Sequence, residues 1–212
     1  MPVFRLNKQL KFPPVQLSEP DGLLAVGGDL SVERLLLAYR SGIFPWYDEP
    51  PILWWSPDPR FVLFPDELKV SASMKQVLRK KLFRISFNEN FAGVIARCSS
   101  IPREGQAGTW ITPEMQAAYI RLHKAGYAMS VECWLDDRLV GGLYGVKTGR
   151  FFFGESMFSE VSNASKAAFI TFVQTYAHEL DMIDCQVHTD HLASLGAGFI
   201  TREEFLEIIG FS

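Results

Sequence analysis

Two polar residues in the C-terminal quarter of the chain could do chemistry together. Asp184 and Gln186 lie in Met182-Ile-Asp-Cys-Gln-Val-His188, a mostly apolar run that predicts a strand. Residues two apart in a strand project from one face. We therefore expect the carboxylate beside the amide, with Cys185 behind them in the core. A carboxylate can orient an amide so that the amide oxygen faces an N–H donor. The alternative is a polar pair on an edge strand that faces water.

A glutamate and two tryptophans are further candidates. Glu155 follows three phenylalanines and a glycine, where we expect a strand to give way to a helix. Loops at strand ends often carry binding groups, and the alternative is a helix-capping carboxylate. Trp110 precedes a helix that is predicted to begin at Pro113, and Trp46 follows a proline that fixes the backbone. An exposed ring could stack on a nucleotide base, which is worth about 1–3 kcal/mol, although most tryptophans are buried.

Other kinds of site are not indicated by the sequence. His188-Thr-Asp-His191 lacks the helical spacing of a histidine metal motif and has no third ligand motif, so we expect no metal. There is no P-loop, no GxGxxG after a strand and no GxSxG. The pyrophosphate-holding loop of acetyl-CoA transferases is also missing. Three distant cysteines form no CxxC, and we expect them to be buried apolar side chains: Cys98, Cys133 and Cys185.

The charge of the chain is unevenly distributed. A formal net charge of −3 argues against a nucleic-acid partner, yet six of the 21 basic residues lie within 69–84, a segment without an acid. A helix is predicted over 73–81. A basic patch on an acidic body can bind a polyanion through its local field, and the alternative is a solvated helix face.

The pattern of elements predicts an α+β fold. Ser31 is expected to cap a helix that ends at Gly42. Three strands in series are predicted at 128–134, 138–146 and 150–154, with hairpin turns between them. A helix to about residue 180 and one more strand follow. This order favours a mixed sheet flanked by helices, an acyltransferase-like layout, and without a CoA loop it needs another acyl carrier.

The composition bounds the size and location of the protein. The 212 residues are 48% hydrophobic and 21% charged, which is ordinary for a soluble chain. No apolar run reaches the ~20 residues of a membrane helix, and the N-terminus does not look like a signal peptide. We therefore expect a cytoplasmic protein without a membrane partner. We divide the chain into a small N-terminal domain, residues 1–62, and a catalytic domain, residues 63–212.

Nine short segments, in order and spacing, resemble leucyl/phenylalanyl-tRNA–protein transferases. Together they span about residues 19 to 200. The segment that ends at Trp46, followed by the segment that ends at Arg60, is especially specific to this family. The segments are Leu23-Leu-Ala-Val-Gly-Gly-Asp-Leu30, Tyr39-Arg-Ser-Gly-Ile-Phe-Pro-Trp46, Trp54-Trp-Ser-Pro-Asp-Pro-Arg60, Gly108-Thr-Trp-Ile111, Gly141-Gly-Leu-Tyr-Gly145, Gly154-Glu-Ser-Met-Phe-Ser159, Asn163-Ala-Ser-Lys166, Asp184-Cys-Gln186 and His191-Leu-Ala-Ser-Leu-Gly-Ala197.

The resemblance implies a fold and an activity. The fold would be a small N-terminal domain followed by a GNAT-like acyltransferase domain. The activity would be transfer of Leu or Phe, and less readily Met, from aminoacyl-tRNA to proteins with N-terminal Arg or Lys, which marks them for the N-degron pathway. Because the aminoacyl ester is already activated, we expect that the reaction needs no strong base. We also expect no cofactor. We expect the enzyme to be a monomer.

The resemblance also assigns roles to particular residues. It implies that Asp184 and Gln186 carry the reaction and that Glu155 lines the active site. Trp46 and Trp110 would contact the terminal adenosine of the tRNA. The remaining assignments to the aminoacyl end are Tyr39, Leu143 and Phe153. The basic residues assigned to the tRNA acceptor stem are Lys75, Arg79, Lys80 and Lys81. One departure concerns Leu143, which stands where a member of the family carries Met.

Two other classes of function stay open on the sequence. An acyl-CoA N-acetyltransferase would show a thermal shift with acetyl-CoA, although the missing CoA loop counts against it. A non-catalytic tRNA- or RNA-binding module would bind tRNA but transfer no label to a peptide that begins with Arg.

Overall fold

The computed structural model describes residues 3–101 and 110–210 of the protein, and within them the chain forms two sheets and seven α-helices. The helices are α1 (Val32–Arg40), α2 (Ala72–Arg79), α3 (Phe91–Ser100), α4 (Pro113–Lys124), α5 (Ala164–Tyr176), α6 (Asp190–Ala193) and α7 (Arg202–Ile208). The strands are β1 (Phe4–Leu6), β2 (Leu23–Gly27), β3 (Phe44–Pro45), β4 (Leu53–Trp55), β5 (Arg60–Leu63), β6 (Arg84–Phe87), β7 (Ala128–Leu135), β8 (Arg138–Thr148), β9 (Phe151–Ser159), β10 (Met182–Gln186) and β11 (Gly198–Ile200).

Local signals set the element ends where the sequence predicts them. The Ser31 side chain accepts a hydrogen bond from the backbone N–H of Arg34 and caps α1. Gly42, with φ of +71°, follows the end of that helix. The turn between β7 and β8 is Asp136-Asp137, and both residues have positive φ, as a two-residue hairpin turn requires.

The larger sheet is mixed and has seven strands in the order β11-β5-β10-β9-β8-β7-β6. All neighbours are antiparallel except β9 and β10, which are parallel and are joined by α5. One face packs against α3, α4 and the N-terminal part of the chain, and the other packs against α2 and α5. The predicted α+β class, with a mixed sheet flanked by helices, is confirmed.

A small four-stranded sheet, in the order β1-β2-β4-β3, forms the N-terminal part. Trp54 is fully buried there and its indole N–H donates to the carbonyl of Gly27 at 2.8 Å. β5 belongs to the larger sheet, and a domain boundary at residue 62 stays a proposal. No helix in the described part of the chain is long and apolar enough to cross a membrane.

The structure corrects one predicted boundary near the candidate site. β9 was expected to end at Gly154 but continues to Ser159 along β8. The alternation of apolar and polar residues is lost after Gly154 because the strand is irregular there. Glu155 therefore lies inside a strand rather than at the start of a helix.

Candidate active site

A cavity opens where the two parallel strands separate. The pairing of β10 with β9 stops at Asp184 opposite Phe153, while β9 continues for six residues along β8. The cavity beside this gap has a volume of about 470 Å³ and is lined by Glu155, Asp184 and Gln186 among others. Cavities of this size bind small molecules or the ends of larger ones, and the gap beyond the carboxyl end of a strand is a common place for them.

A β-bulge places Glu155. On β8 the neighbours Tyr144 and Gly145 pair with Ser156 and Gly154, which leaves Glu155 without a strand partner. A bulge of this kind re-aims a side chain and is frequent beside active sites.

A second irregularity places Gln186. Asp184 lies opposite Val62 and Gln186 opposite Phe61, so that Cys185 is an extra residue in β10. Gln186 has φ of +63°, a left-handed conformation that non-glycine residues rarely adopt. The regular alternation that would place Asp184 and Gln186 side by side is therefore broken.

The Glu155 carboxylate accepts hydrogen bonds from three side chains. The hydroxyls of Tyr39 and Tyr119 donate to it at 2.8 and 2.7 Å, and the amide N–H of Gln186 donates at 2.9 Å. The two tyrosine hydroxyls also contact each other. Burial, together with a smaller contribution from the nearby charge of Asp184, raises the pKa of Glu155 to about 7 against the opposing effect of these hydrogen bonds. Burial also holds the pKa of both tyrosines well above the ordinary value.

Asp184 is held by a different partner. Its two carboxylate oxygens receive the Arg60 guanidinium at 2.9 and 2.6 Å, and both side chains are about 1% exposed. One of these oxygens also accepts the backbone N–H of Gln186 at 2.8 Å. The expectation that Asp184 orients the Gln186 side chain is therefore wrong. Asp184 holds the Gln186 backbone, and Glu155 holds its amide.

Two tryptophans also belong to the lining of the cavity. Trp46 is 38% exposed, Trp110 is half-buried, and both line the cavity. The carbonyl of Trp46 accepts the indole N–H of Trp55 at 2.7 Å, which fixes the backbone beside the exposed ring. The two rings that the sequence singled out thus lie at the same cavity as Glu155 and Gln186.

Comparisons with known proteins identify the family. A protein-family model described as "Leucyl/phenylalanyl-tRNA protein transferase" matches residues 62–210. A second family model, for the N-terminal domain of the same proteins, matches residues 28–58. A leucyl/phenylalanyl-tRNA–protein transferase from Syntrophus aciditrophicus is 60% identical over 212 residues, 99% of this chain and 88% of that one. Its counterpart from Syntrophobacter fumaroxidans is 58% identical over 211 residues, 99% and 90% of the two chains. The chain belongs to the leucyl/phenylalanyl-tRNA–protein transferase family. This confirms the predicted family and makes the protein an aminoacyltransferase.

Likeness to solved structures is weaker. A GCN5-related N-acetyltransferase from Kribbella flavida matches with a TM-score of 0.37 and 10% identity, over 77% of this chain and 58% of that one. The roles of individual residues in this transferase therefore follow from the geometry of its own site.

Not all of the residues that the family resemblance assigned to the aminoacyl end lie at the cavity surface. Leu143 lines it, together with Phe152 and Phe169 from the same apolar cluster. Tyr39 and Phe153 are fully buried behind it, with ring centroids 5.2 Å apart. Tyr39 reaches the site through its hydroxyl on Glu155.

The basic residues assigned to the acceptor stem lie apart from the cavity. They are exposed on α2 and just after its C-terminal end, and none lines the cavity: Lys75, Arg79, Lys80 and Lys81. Gly108, which begins the segment that contains Trp110, lies outside the described residues.

Two residues of the site were missed from the sequence. Arg60 could have been noticed as the charged end of the segment Trp54–Arg60, which runs into an apolar strand. Tyr119 lies in α4, the helix that begins at Pro113, and only the structure brings its hydroxyl to Glu155.

A thiolate and a metal ion are not indicated as parts of this site. Burial raises the pKa of Cys185, which keeps its thiol protonated. Cys98 and Cys133 are buried, as predicted. Among the described residues no group of three or more His, Cys, Asp or Glu side chains is arranged to hold a metal.

Proposed function

We propose that the protein transfers Leu or Phe, and less readily Met, from aminoacyl-tRNA to the α-amine of proteins that begin with Arg or Lys. It does so in the cytoplasm, as a monomer, and the products enter the N-degron pathway. The observation that carries the proposal is one cavity that combines a buried carboxylate–amide pair with two tryptophans, Trp46 and Trp110. This cavity lies in a chain that matches the family over nearly its whole length.

The reaction needs positioning more than a strong base. The acceptor nitrogen attacks the ester carbonyl carbon, a C–N bond forms and the bond to the ribose oxygen breaks. The nitrogen loses one proton and the ribose oxygen gains one. An α-amine has a reference pKa of about 7.7–8.0, so roughly a tenth is neutral at pH 7. Holding the amine against the ester can supply much of the acceleration.

Gln186 is suited to receive the attacking amine. Its amide N–H is engaged by Glu155 at 2.9 Å, and within the part of the chain that the structure describes its amide oxygen accepts no hydrogen bond. The oxygen is therefore free to accept an N–H of the attacking amine. A neutral amide is a poor base, so the proton passes on to water or to the ribose hydroxyl.

The walls of the cavity match the two ends of an aminoacyl-adenosine. Leu143, Phe152 and Phe169 offer an apolar surface to the Leu or Phe side chain, where each buried methylene contributes about 0.8 kcal/mol. Trp46 and Trp110 would stack on the terminal base, which is unpaired and exposes its faces. The exposed basic residues on α2 and just after its C-terminal end would contact phosphates of the acceptor stem.

A transfer assay tests the proposal. Radiolabelled Leu-tRNA is mixed with a protein that begins with Arg, with and without the enzyme, and label is counted in the protein. The same protein beginning with Ala is the control. We expect label only with enzyme and an N-terminal Arg or Lys. Tight tRNA binding without transfer would favour a non-catalytic RNA-binding module, and transfer from acetyl-CoA would favour an N-acetyltransferase.

A further inference from the structure

A buried arginine outside the cavity wall makes an unusual set of contacts. The Arg60 guanidinium forms a two-pronged ion pair with Asp184, at 2.9 and 2.6 Å. It lies over the rings of Phe44 and Phe205, 4.7 and 4.6 Å from their centroids, and donates to the carbonyl of Gly42 at 3.3 Å. Arg60 therefore ties β5, β3, α7 and the end of α1 to the carboxylate on β10.

These contacts continue into the reacting group. The Asp184 oxygen that receives Nε of Arg60 also accepts the backbone N–H of Gln186 at 2.8 Å. That hydrogen bond holds Gln186 at φ of +63°, and in this conformation its amide reaches Glu155. A residue in an unfavourable backbone conformation keeps it only when its surroundings impose it.

From this series of contacts we infer that Arg60 is a positioning residue for aminoacyl transfer. It holds the Asp184 carboxylate in place, and this carboxylate holds the bulge that aims Gln186 at the acceptor amine. The inference rests on the proposed function, because it concerns the geometry of the same transfer step. Arg60 does not line the cavity, and its effect passes through Asp184 and Gln186.

A double-mutant cycle tests the inference. Arg60→Lys keeps a positive charge but loses the planar two-pronged geometry, and Gln186→Ala removes the group that is positioned. Single-turnover rates are measured at saturating Leu-tRNA. We expect Arg60→Lys to lower the rate roughly 10- to 100-fold, as small misplacements of reacting groups do, with unchanged binding of Leu-tRNA. In the Gln186→Ala background the same substitution should lower the rate less than about twofold, because residues that act as one unit are not additive.

A matched control is available in the N-terminal part of the chain. Arg34 is also fully buried and its guanidinium also pairs with a carboxylate, that of Asp29. Arg34→Lys should lower the melting temperature without lowering the saturated transfer rate of the folded enzyme.

Several outcomes would overturn the inference. One is an equal loss from Arg60→Lys in both backgrounds, and another is weakened Leu-tRNA binding with an unchanged saturated rate. If Arg60→Lys does not fold, the pair Arg60→Met and Asp184→Asn removes both buried charges together, a change that proteins often tolerate. This double variant then replaces Arg60→Lys in the cycle, and it should again slow transfer much less in the Gln186→Ala background. Failure of the unmodified enzyme to transfer Leu would instead contradict the proposed function.

Discussion

The pKa of Glu155 gives the sharpest prediction for the rate of transfer. Burial raises this pKa to about 7, so the carboxylate ionises within the working range of the reaction. Only the ionised form has every oxygen lone pair available to the donors Tyr39, Tyr119 and Gln186. We therefore expect transfer to require ionised Glu155 and to speed up as the pH rises through 7.

The size of the effect follows from two ionisations. Between pH 6 and 8 a group with a pKa of about 7 goes from roughly a tenth to roughly nine-tenths ionised, a tenfold gain. Over the same range the neutral fraction of an α-amine rises roughly 40-fold. The wild-type rate should therefore rise roughly 400-fold. Glu155→Gln keeps the shape of the side chain but does not titrate, so its rate should rise only about 40-fold.

The assay is single-turnover transfer from Leu-tRNA to an Arg-initiated peptide below its KM, at several pH values between 5.5 and 8. Spontaneous ester hydrolysis is subtracted at each pH. Glu132→Gln is the matched control, because Glu132 is also fully buried and hydrogen-bonded by two serines but lies outside the cavity. Its pH dependence should match that of the wild type. Equal pH dependence of the wild type and Glu155→Gln would refute the reasoning.

The same ionisation should appear in the stability of the protein. The pKa of Glu155 is raised on folding, so its contribution to stability is fully present below about pH 4.5 and is lost as the pH rises to about 7. A pKa that differs by one between the folded and unfolded states corresponds to about 1.4 kcal/mol in free energy of unfolding. Between pH 4.5 and 8, Glu155→Gln should thus gain roughly 3 kcal/mol in free energy of unfolding relative to the wild type. Urea unfolding at both pH values measures this.

The remaining predictions concern groups around the site. Gln186→Ala should lower the single-turnover rate roughly 100-fold and leave the urea midpoint nearly unchanged. Asp184→Ala should also slow transfer but should cost about 3–5 kcal/mol in urea unfolding, because it leaves the Arg60 charge buried and unpaired. Trp46→Ala and Trp110→Ala should raise the KM for aminoacyl-tRNA roughly 5- to 100-fold. Trp→Phe at either position should recover part of the loss, and puromycin should compete with aminoacyl-tRNA. A low melting temperature with a normal KM would mean that both rings belong to the hydrophobic core. Charge reversal of the basic residues on α2 and just after its C-terminal end should reduce the slope of log K for tRNA against log salt by about 1 for each phosphate that is no longer bound. An unchanged slope would mean that they form a solvated surface. These residues are Lys75, Arg79, Lys80 and Lys81.

The elements of the fold could be predicted because their signals are local. A cap such as Ser31 acts within three residues, and a turn such as Asp136-Asp137 requires only its own two residues to adopt positive φ. The mixed sheet followed from the order of these elements. The residues at the cavity were predicted from the resemblance and from strand alternation. Alternation correctly selected Asp184 and Gln186, but it wrongly placed the Asp184 carboxylate beside the Gln186 side-chain amide.

The two wrong predictions, the pairing of Asp184 with the Gln186 amide and the end of β9, have one physical cause. Gln186 and Glu155 both lie at irregularities of their strands. A bulge is stabilised by partners distant in sequence, and alternation within five or seven residues cannot reveal it. Glu155 is engaged by hydroxyls 116 and 36 residues away, and Gln186 by a carboxylate 31 residues away. The predicted end of β9 at Gly154 failed for the same reason, since a buried glutamate inside a strand is favourable only with those donors.

The two carboxylates of the site thus have separate tasks that their surroundings explain. Asp184 pairs with the guanidinium of Arg60 and accepts the backbone N–H of Gln186, so it is suited to hold that backbone. Among the described residues the donors to Glu155 are neutral, and burial brings its pKa to about 7, so its hydrogen bond with the Gln186 amide depends on pH. If the tasks were reversed, with the fixed ion pair on the amide, transfer would lose its dependence on Glu155 ionisation. The pH profile of Glu155→Gln therefore distinguishes the two assignments.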